Sequence, residues 1–267
     1  MLEASADRRS AYRTYAAADG GGQARRLSDI VPSDGISISD APDATRLASA
    51  ETAAPPFPSI AARLSEGAAR ANQSALKRLM DLAGASIGLI VLFPFLCLLA
   101  LLIRLESPGP ALFRQRRTGR YGNVFQIYKF RTMTVLEDGD RVVQASAADI
   151  RITPLGAFLR RSCIDELPQL INVIRGDMSL VGPRPHAIIH DAYYSAVIPE
   201  YRSRFLVRPG IAGLAQVSGY RGATPTIESM AGRVGMDREY IGNWSLEQDL
   251  RLLVRAMSEG PFHPTAF

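Results

Sequence analysis

Two adjacent carboxylates, placed where a short helix is predicted to begin, are the best candidates for chemistry in this sequence. Asp165 and Glu166 open the segment Asp-Glu-Leu-Pro-Gln-Leu-Ile-Asn-Val-Ile-Arg-Gly, in which Asp165 can cap the helix and Gly176 can end it. The positive end of a helix dipole stabilises each nearby carboxylate by about 0.3–1 kcal/mol, so both should be ionised at neutral pH. Free backbone N–H groups in the same turn could bind a phosphate. These features favour chemistry on a phosphate, and an ordinary capped helix whose acids pair with arginines is the structural alternative.

Basic residues near this segment could neutralise a phosphate. Arg160 and Arg161 come shortly before the carboxylates, and Arg184 lies between two prolines in Val-Gly-Pro-Arg-Pro-His. Because both prolines have fixed φ angles, the Arg184 guanidinium loses little entropy on binding, and its planar donor fork suits phosphate oxygens. A rigid solvent-facing turn is the alternative for this segment. His186 and His190 are spaced like the ligands of some zinc helices, but no third ligand is evident, which argues against zinc.

The elements that must position these residues are predicted to be mainly helical, with a little sheet. Residues 124–130, Val-Phe-Gln-Ile-Tyr-Lys-Phe, have the β-branched and aromatic content of a strand. Thr153 followed by Pro154 predicts the start of a short helix. Ser245 with Gln248 forms a capping-box pattern before helically spaced apolar residues. The sequence therefore indicates an α+β fold in which helices dominate.

A charge-free stretch of 22 residues, from Leu82 to Ile103, indicates a helix embedded in a membrane. At a rise of about 1.5 Å per residue it would be roughly 33 Å long, close to the thickness of the bilayer hydrocarbon. Pro94 lies in its middle and predicts a kink. Basic residues prefer the cytoplasmic side and flank both ends, so a monotopic protein with one kinked re-entrant helix is expected. A simple kinked transmembrane helix and a buried soluble helix are the alternatives. The flanking residues are Lys77, Arg78, Arg104, Arg114, Arg116, Arg117 and Arg120.

Composition divides the chain into a disordered tail at 1–73, a membrane-embedded kinked helix at 74–106 and a domain at 107–267. The flanking charges predict that this domain is cytoplasmic, and it contains the candidate catalytic residues. The tail has too few large apolar residues for a core, although it allows short helices around 60–71. It carries a net charge of −1, so the rest carries +6, which suits an anionic membrane surface and phosphorylated substrates. Two cysteines are too few for a disulfide-rich secreted scaffold. A single long apolar segment is too little for a membrane protein with many helices.

Several motifs occur in order over residues 74–257, and their combination resembles the bacterial sugar transferase family. Its members are the monotopic polyprenyl-phosphate phosphoglycosyl transferases of exopolysaccharide and capsule pathways. Each motif alone is weak, whereas the ordered set is specific. The motifs are Lys77-Arg78 with Asp81, Ser107-Pro108-Gly109-Pro110, Gln115-Arg116-Arg117-Thr118-Gly119, Lys129-Phe130-Arg131-Thr132-Met133, Asp165-Glu166-Leu167-Pro168-Gln169-Leu170, the run from Arg175 to Pro185, and Arg208-Pro209-Gly210.

The resemblance implies transfer of a sugar-1-phosphate from a UDP-sugar to undecaprenyl phosphate, with release of UMP. In the family the aspartate of the Asp-Glu pair attacks the β-phosphorus and forms a phosphosugar–enzyme intermediate, so Asp165 would be the nucleophile. Glu166, with Asp165, would hold Mg²⁺ or assist the incoming lipid phosphate. Cations must neutralise the repulsion between the carboxylate and the diphosphate. The predicted substrate-binding residues are Lys129, Arg131, Arg160, Arg161, Gln169, Arg184 and Arg208.

The glucose-1-phosphate branch of the family is the one that this sequence resembles most. The resemblance includes Pro185-His186-Ala187, Gly219-Tyr220-Arg221-Gly222 and Asn243-Trp244-Ser245. The same reaction with UDP-galactose or a UDP-N-acetylated sugar is the alternative. The sequence departs from the family at Cys163-Ile164, where Ser-Leu is usual, at Ala212, where threonine is usual, and at Ala215, where tryptophan is usual. These changes affect packing or one hydrogen bond rather than the reaction type.

The resemblance also implies partners and a location. The catalytic domain would lie on the cytoplasmic face of the bacterial inner membrane. Its partners would be the lipid bilayer, a UDP-sugar and undecaprenyl phosphate. The resemblance leaves open whether the protein forms a homodimer. A second hypothesis is a non-enzymatic, membrane-anchored interaction protein, which leaves the ordered motifs unexplained. Nucleic-acid binding by the arginines at 104–120 is disfavoured, because aromatic residues are sparse there and the stretch adjoins the membrane segment.

Overall fold

A computed structural model describes residues 59–134, 149–222 and 226–259, all within one compact unit, Pro55–Phe267. Most of the predicted disordered tail, residues 1–58, lies outside the described residues. Within them the prediction of a mainly helical fold with a little sheet is confirmed, although the strands form two separate two-stranded sheets instead of one.

Helix α1 (Ile60–Gln73) begins the described chain and overlaps the end of the predicted tail. Its buried face belongs to the largest apolar cluster of the unit. Gly67 permits close backbone contact in this packing, because a Cβ there would come within 2.0 Å of the Ile241 carbonyl oxygen. The folded unit therefore starts well before residue 73, and the short helix that the composition allowed is formed.

Helix α2 (Ala75–Glu106) is 32 residues long and contains Pro94 within its run. Among the described residues it is the one helix long and apolar enough to cross a membrane. Its middle is exposed, as shown by Ile90 at 75% accessibility, whereas both ends are packed against the globular part. Near the start of α2 the buried ammonium of Lys77 bonds to the carboxylate of Asp249 at 2.6 Å. A buried pair of this kind fixes the helix to the domain, since neither charge could be left unpaired cheaply.

An antiparallel hairpin follows α2 and packs against both of its halves. Its strands are β1 (Leu112–Thr118) and β2 (Val124–Phe130), which confirms the strand predicted at 124–130. In β2, Ile127 packs in one cluster with Ala85 from the first half of α2. Phe130 packs in another cluster with Ile103 from the second half. The two ends of the apolar helix are thus attached to the same strand.

Short helices and a parallel strand pair form the rest of the described chain. In order, these elements are α3 (Pro154–Ser162), a 3-10 helix (Ile164–Gln169), α4 (Leu170–Arg175), β3 (Ser179–Val181), α5 (Ile188–Val197), a 3-10 helix (Tyr201–Leu206), β4 (Gly210–Ala212), α6 (Leu214–Val217), α7 (Ile227–Gly242) and α8 (Leu246–Glu259). Strands β3 and β4 pair in parallel. This pairing brings together the segment that follows α4 and the segment that precedes α6.

Two predicted helix starts are confirmed, and a third is wrong. The hydroxyls of Thr153 and Ser245 each accept a hydrogen bond from the N–H three residues later, at 3.0 and 3.1 Å. Asp165 does not cap a helix, because the turn begins at Cys163 and both carboxylates already lie inside a 3-10 helix. A proline within that segment lacks the N–H that a regular helix needs, and the α-helix starts only at Leu170.

Candidate active site

The acidic pair, Asp165 and Glu166, lies in the 3-10 helix between α3 and α4. The chain turns into this helix at Cys163, a non-glycine residue with left-handed backbone angles of φ 60° and ψ 13°. Gly176 ends α4 at φ 89°, as its sequence position predicts. Each carboxylate residue is buried, with 8% of its surface exposed. Because buried charges are costly unless they are paired, the partners of each acid determine what it can do.

Two cations hold Glu166. The ammonium of Lys129, on β2, donates to Oε1 at 2.6 Å. The Arg184 guanidinium binds both oxygens, with Nη1 to Oε2 at 2.9 Å and Nη2 to Oε1 at 2.5 Å. Burial alone would raise the pKa of Glu166, but the charges of Arg184 and Lys129 outweigh it and hold that pKa well below its ordinary value. Glu166 is therefore a fixed, neutralised anion.

Asp165 has a different environment from its neighbour. In the part of the chain that the structure describes, no group donates a hydrogen bond to its carboxylate. Burial raises the pKa of Asp165 to about 6, and the charge of Glu166 adds to this effect, while Lys129 and Arg160 oppose it. At neutral pH Asp165 is thus mostly ionised, close to cations, and has its oxygen lone pairs available.

Two further predicted residues bring donors that lack an acceptor. Among the described residues, Arg160, at the end of α3, donates only a long hydrogen bond of 3.5 Å to the Thr132 hydroxyl and a weak contact to Met133, and its buried Nε has no partner there. Gln169 is 1% exposed, and its amide nitrogen has no partner in the described part of the chain either. An unsatisfied buried donor costs about 1–3 kcal/mol, so such groups commonly mark a place for a ligand or an ordered water.

Other predicted binding residues have structural surroundings. Arg161 is exposed on the last turn of α3. Arg131 is buried and donates hydrogen bonds to the carbonyl oxygens of Ile103, Ser107 and Pro108, at 3.2, 2.5 and 2.7 Å. Arg131 therefore satisfies carbonyls at the end of α2 and fixes the turn that follows.

Arg208 contacts a different part of the unit. Its Nε donates to the carbonyl oxygen of Gly176 at 3.1 Å. Burial lowers the pKa of Arg208, and the positive charges of Arg120 and Arg78 lower it further. The predicted binding residues therefore divide: Lys129, Arg160 and Arg184 act on the acidic pair, whereas Arg208 belongs to a second cationic group.

A buried charged network fixes the loop that presents Arg184. Arg204 donates from Nη2 to the carbonyl oxygen of Arg184 at 2.6 Å and from Nε to the Asp237 carboxylate at 2.7 Å. The ring nitrogens of His186 contact Arg204 and Arg233, each at 3.0 Å. Burial and these two arginines hold the pKa of His186 well below its ordinary value, so the ring is neutral at pH 7. His186 is accordingly part of the support of this loop.

Sequence reasoning missed two supporting residues, Arg204 and Asn172. Asn172 is fully buried, accepts from the Tyr128 N–H at 3.0 Å and donates to the Gln126 carbonyl at 2.7 Å, which attaches α4 to β2 beside Lys129. Its only signal was a polar residue within an apolar run. Arg204 has no local signal at all, because its acidic partner is 33 residues away along the chain.

The carboxylate set fits a metal ion shared with a substrate. No cluster of three or more His, Cys, Asp or Glu side chains that could hold a metal occurs within the described ranges. Mg²⁺ usually binds through one or two carboxylates together with substrate phosphates and waters. Asp165, to which no described residue donates a hydrogen bond, can supply one such oxygen, whereas Glu166 would first have to release part of its contact with Arg184 or Lys129.

Known proteins match the region that contains this site. Residues 72–260 match the family described as bacterial sugar transferase. A protein of Caulobacter vibrioides, named UDP-glucose:undecaprenyl-phosphate glucose-1-phosphate transferase, is 56% identical over 181 residues, which cover 68% of each chain. The match therefore includes the hairpin, the acidic pair and the loop with Arg184.

Two further relatives differ in how much of their length is matched. An Escherichia coli protein of the same name is 45% identical over 192 residues, which cover 72% of this chain but 41% of that protein. An exopolysaccharide production protein of Rhizobium leguminosarum is 47% identical over 182 residues, which cover 67% of this chain and 91% of that protein. The matched region thus covers less than half of the Escherichia coli protein and most of the Rhizobium leguminosarum protein.

Proposed function

Because the chain belongs to the bacterial sugar transferase family, we propose that it transfers a hexose-1-phosphate from a UDP-sugar to undecaprenyl phosphate and releases UMP. This reaction would initiate exopolysaccharide or capsule synthesis, as the name of the rhizobial relative suggests. The observation that carries the proposal is the division of the acidic pair, in which Glu166 is bound by two cations and Asp165 receives no hydrogen bond from the described residues.

In the first step the ionised carboxylate of Asp165 attacks the sugar-bearing β-phosphorus of the UDP-sugar. A P–O bond forms to Asp165, the bond between the β-phosphorus and the bridging oxygen breaks, and UMP leaves with that oxygen. A carboxylate with a pKa of about 6 needs no base at neutral pH, and a free carboxylate has no hydrogen bond to break before it attacks.

In the second step a phosphate oxygen of undecaprenyl phosphate attacks the same phosphorus. The bond to Asp165 breaks, the carboxylate is regenerated, and the product is the sugar joined to the lipid through a diphosphate. Covalent catalysis of this kind divides one difficult displacement between two anions into two separate steps.

Cations around the acidic pair would neutralise the diphosphate. Arg184 uses two of its five N–H groups on Glu166, and Lys129 uses one of its three, so both retain donors for phosphate oxygens. Arg160 adds a buried Nε without a partner, and Gln169 adds an amide. Arg131 would contribute indirectly, by fixing the end of α2. Arg161 would contribute only its positive charge.

The proposal includes a divalent cation, most suitably Mg²⁺, held by Asp165, Glu166 and the substrate diphosphate. When bound, it would reduce the negative charge of the diphosphate oxygens and so lower the repulsion that the attacking carboxylate meets. Asp165 itself must keep one oxygen directed at phosphorus, and Glu166 would exchange part of its contact with Arg184 or Lys129 for the cation.

We further propose that α2 enters and leaves the bilayer on the cytoplasmic side. Lys77 near one end binds Asp249, and Arg131 binds the last carbonyls at the other end, so both ends are attached to one domain. Between these attachments the apolar residues are exposed, and Pro94 lies among them, where a bend would return the helix to the same face. This topology would put the catalytic domain on the inner membrane, at the depth of a lipid phosphate. Whether two copies of the chain form a homodimer stays a prediction.

Glucose is the sugar that the relatives support, since the proteins at 56% and 45% identity are named for UDP-glucose. The loop at 219–222, which carries the resemblance to the glucose branch, lies beside the acidic pair: Arg221 contacts the Cys163 thiol, and Arg233 donates to the Gly222 carbonyl at 2.6 Å. We expect a sugar bound at the acidic pair to contact this loop, so that the loop would help to distinguish glucose from galactose or an N-acetylated sugar.

The proposal is tested by UMP release from the full chain in detergent with undecaprenyl phosphate, Mg²⁺ and a panel of UDP-sugars. We expect release with UDP-glucose, its loss in Asp165→Asn, and normal release in the control Arg251→Gln, whose side chain is 76% exposed. Release with a different UDP-sugar alone would contradict the glucose assignment. No release by folded protein with any UDP-sugar would favour the membrane-anchored interaction protein.

A further inference from the structure

Three arginines form a second cationic cluster that the acidic pair does not explain. Arg78, on the first turns of α2, donates to the carbonyl oxygens of Val173 and Ile174 at 2.8 and 3.0 Å. Arg208 donates to the carbonyl oxygen of Gly176, two residues after Ile174, at 3.1 Å. Both guanidinium groups are therefore placed at the C-terminal end of α4.

Arg120 joins this cluster from the turn of the hairpin. Its Nη1 donates to the Asn72 side chain at 3.2 Å, and Asn72 in turn donates to the carbonyl of Leu206, two residues before Arg208. The Arg120 guanidinium also lies over the ring of Tyr121, with 5.0 Å between them. Three elements that are distant in sequence thus bring their positive charges together.

No acidic side chain balances these charges directly. Within residues 59–134, 149–222 and 226–259, none of the three arginines forms a salt bridge with a carboxylate. The charge of Asp81 raises the pKa of Arg208, but the Asp81 carboxylate already accepts hydrogen bonds from the Ser179 hydroxyl and the Leu180 N–H at 2.9 and 2.8 Å. Both Nη groups of Arg208 are without acceptors in the described chain, and the residue is half-buried. An anion would relieve the mutual repulsion and use these donors.

The position of the cluster along α2 indicates the source of that anion. Arg78 is four residues before Leu82, where the charge-free stretch begins, and Leu79 beside it is 62% exposed. Tyr121 is 64% exposed next to Arg120, and exposed tyrosines with arginines are typical of the membrane–water interface. If α2 inserts as proposed, the cluster lies at the depth of lipid phosphates.

We propose that Arg78, Arg120 and Arg208 form a first binding site for the phosphate group of a membrane lipid, distinct from the acidic pair, which that phosphate reaches afterwards for transfer. Three guanidinium groups match a phosphate monoester better than the singly charged diester of a phospholipid, because a monoester carries about −1.5 to −2 at neutral pH. The ligand class is therefore a lipid monophosphate. The inference rests on the proposed function only in taking that lipid to be the polyprenyl acceptor.

Binding of radiolabelled undecaprenyl phosphate to the full chain in phosphatidylcholine nanodiscs tests this site. All variants would carry Asp165→Asn, so that no transfer occurs and catalysis cannot influence the result. We expect Arg120→Gln and Arg208→Gln each to weaken binding about tenfold, the size of one lost charge-assisted hydrogen bond, and Arg208→Lys to restore part of it. The control Arg251→Gln, on the exposed face of α8, should bind normally. Arg78 is left intact, because it also supports α4.

Further arms separate this proposal from its alternatives. Unchanged binding in both glutamine variants would overturn the site, whether or not Asp165 is the nucleophile. Equal competition by phosphatidylglycerol would overturn the preference for a monoester, and displacement by millimolar inorganic phosphate as effectively as by the lipid would overturn a lipid site. With Asp165 restored, single-turnover UMP release without acceptor should be unaffected by Arg120→Gln; loss of that release would place the cluster at the nucleotide instead.

Discussion

Arg184 binds Glu166 through two hydrogen bonds, Nη1 to Oε2 at 2.9 Å and Nη2 to Oε1 at 2.5 Å. With Lys129 on the same carboxylate, Glu166 is neutralised twice, whereas the adjacent Asp165 receives no hydrogen bond from the described chain. Two acids that are equivalent in sequence therefore differ in electrostatics. That difference decides how the protein should respond to pH and to substitution.

The first step should depend on the ionisation of Asp165. Because burial raises the pKa of Asp165 to about 6, the attacking carboxylate is mostly protonated at pH 5 and mostly ionised above pH 7. We expect the single-turnover rate of UMP release to rise about tenfold from pH 5 to pH 7 and to level off near pH 7.5. Rapid-quench measurements without lipid acceptor would show this, and a flat profile across pH 5–7 would contradict it.

Replacement of Asp165 should stabilise the fold at neutral pH. The folded pKa of about 6 exceeds the ordinary value of 3.8, so the protonated form favours folding; this contribution is complete below about pH 4 and is lost as the pH rises through about 6. Asp165→Asn should therefore raise the free energy of unfolding by about 1–3 kcal/mol at pH 7.5 and by much less at pH 4.5. Denaturant unfolding at both pH values measures this. Destabilisation at pH 7.5 would show that the ionised Asp165 is a favourable partner of Lys129.

Replacement of Glu166 should have the opposite effect. Glu166→Gln leaves Lys129 and Arg184 in a buried site without their counter-charge, which should cost about 2–4 kcal/mol. Unfolding in guanidinium chloride would measure the loss. The matched control is Glu247→Gln, which removes an exposed pair with Arg251 and should change stability by less than about 0.5 kcal/mol. Similar values for the two variants would mean that Glu166 is not held as the contacts indicate.

Both ends of α2 should be accessible from the cytoplasm. Gln73 and Pro110 are exposed positions outside the helix caps, so cysteines there report topology without removing a hydrogen bond that supports α2. In a background without Cys97 and Cys163, we expect a membrane-impermeant maleimide to label neither position in intact cells and both in inverted vesicles. Labelling of one position from each side would establish a helix that spans the bilayer.

Features of the fold could be predicted from sequence where neighbouring residues determine them. The strand at 124–130 and the caps at Thr153 and Ser245 rest on neighbouring residues, and these predictions are confirmed. The predicted cap at Asp165 fails because a 3-10 turn entered through Cys163 takes the place of a regular helix start.

The candidate site shows the same limit. The acidic pair and Arg184 were found because their motifs are contiguous, but the sequence could not show that Lys129 and Arg184 both contact Glu166 and leave Asp165 free. The sequence also could not show which predicted binding residues lie away from the acidic pair. Arg131 supports α2, and Arg208 lies with Arg78 and Arg120. Those assignments depend on tertiary contacts between distant segments.

Covalent attachment of the phosphosugar to Asp165 can be measured by mass spectrometry of the peptides of this protein. The wild-type chain would be incubated with UDP-glucose and Mg²⁺ without lipid acceptor, quenched in acid and digested. We predict a mass increase of one hexose phosphate on the peptide that contains Asp165, its absence in Asp165→Asn, and its loss when undecaprenyl phosphate is added. Release of UMP with no adduct, or with the adduct on another residue, would contradict the assignment of Asp165 as the nucleophile.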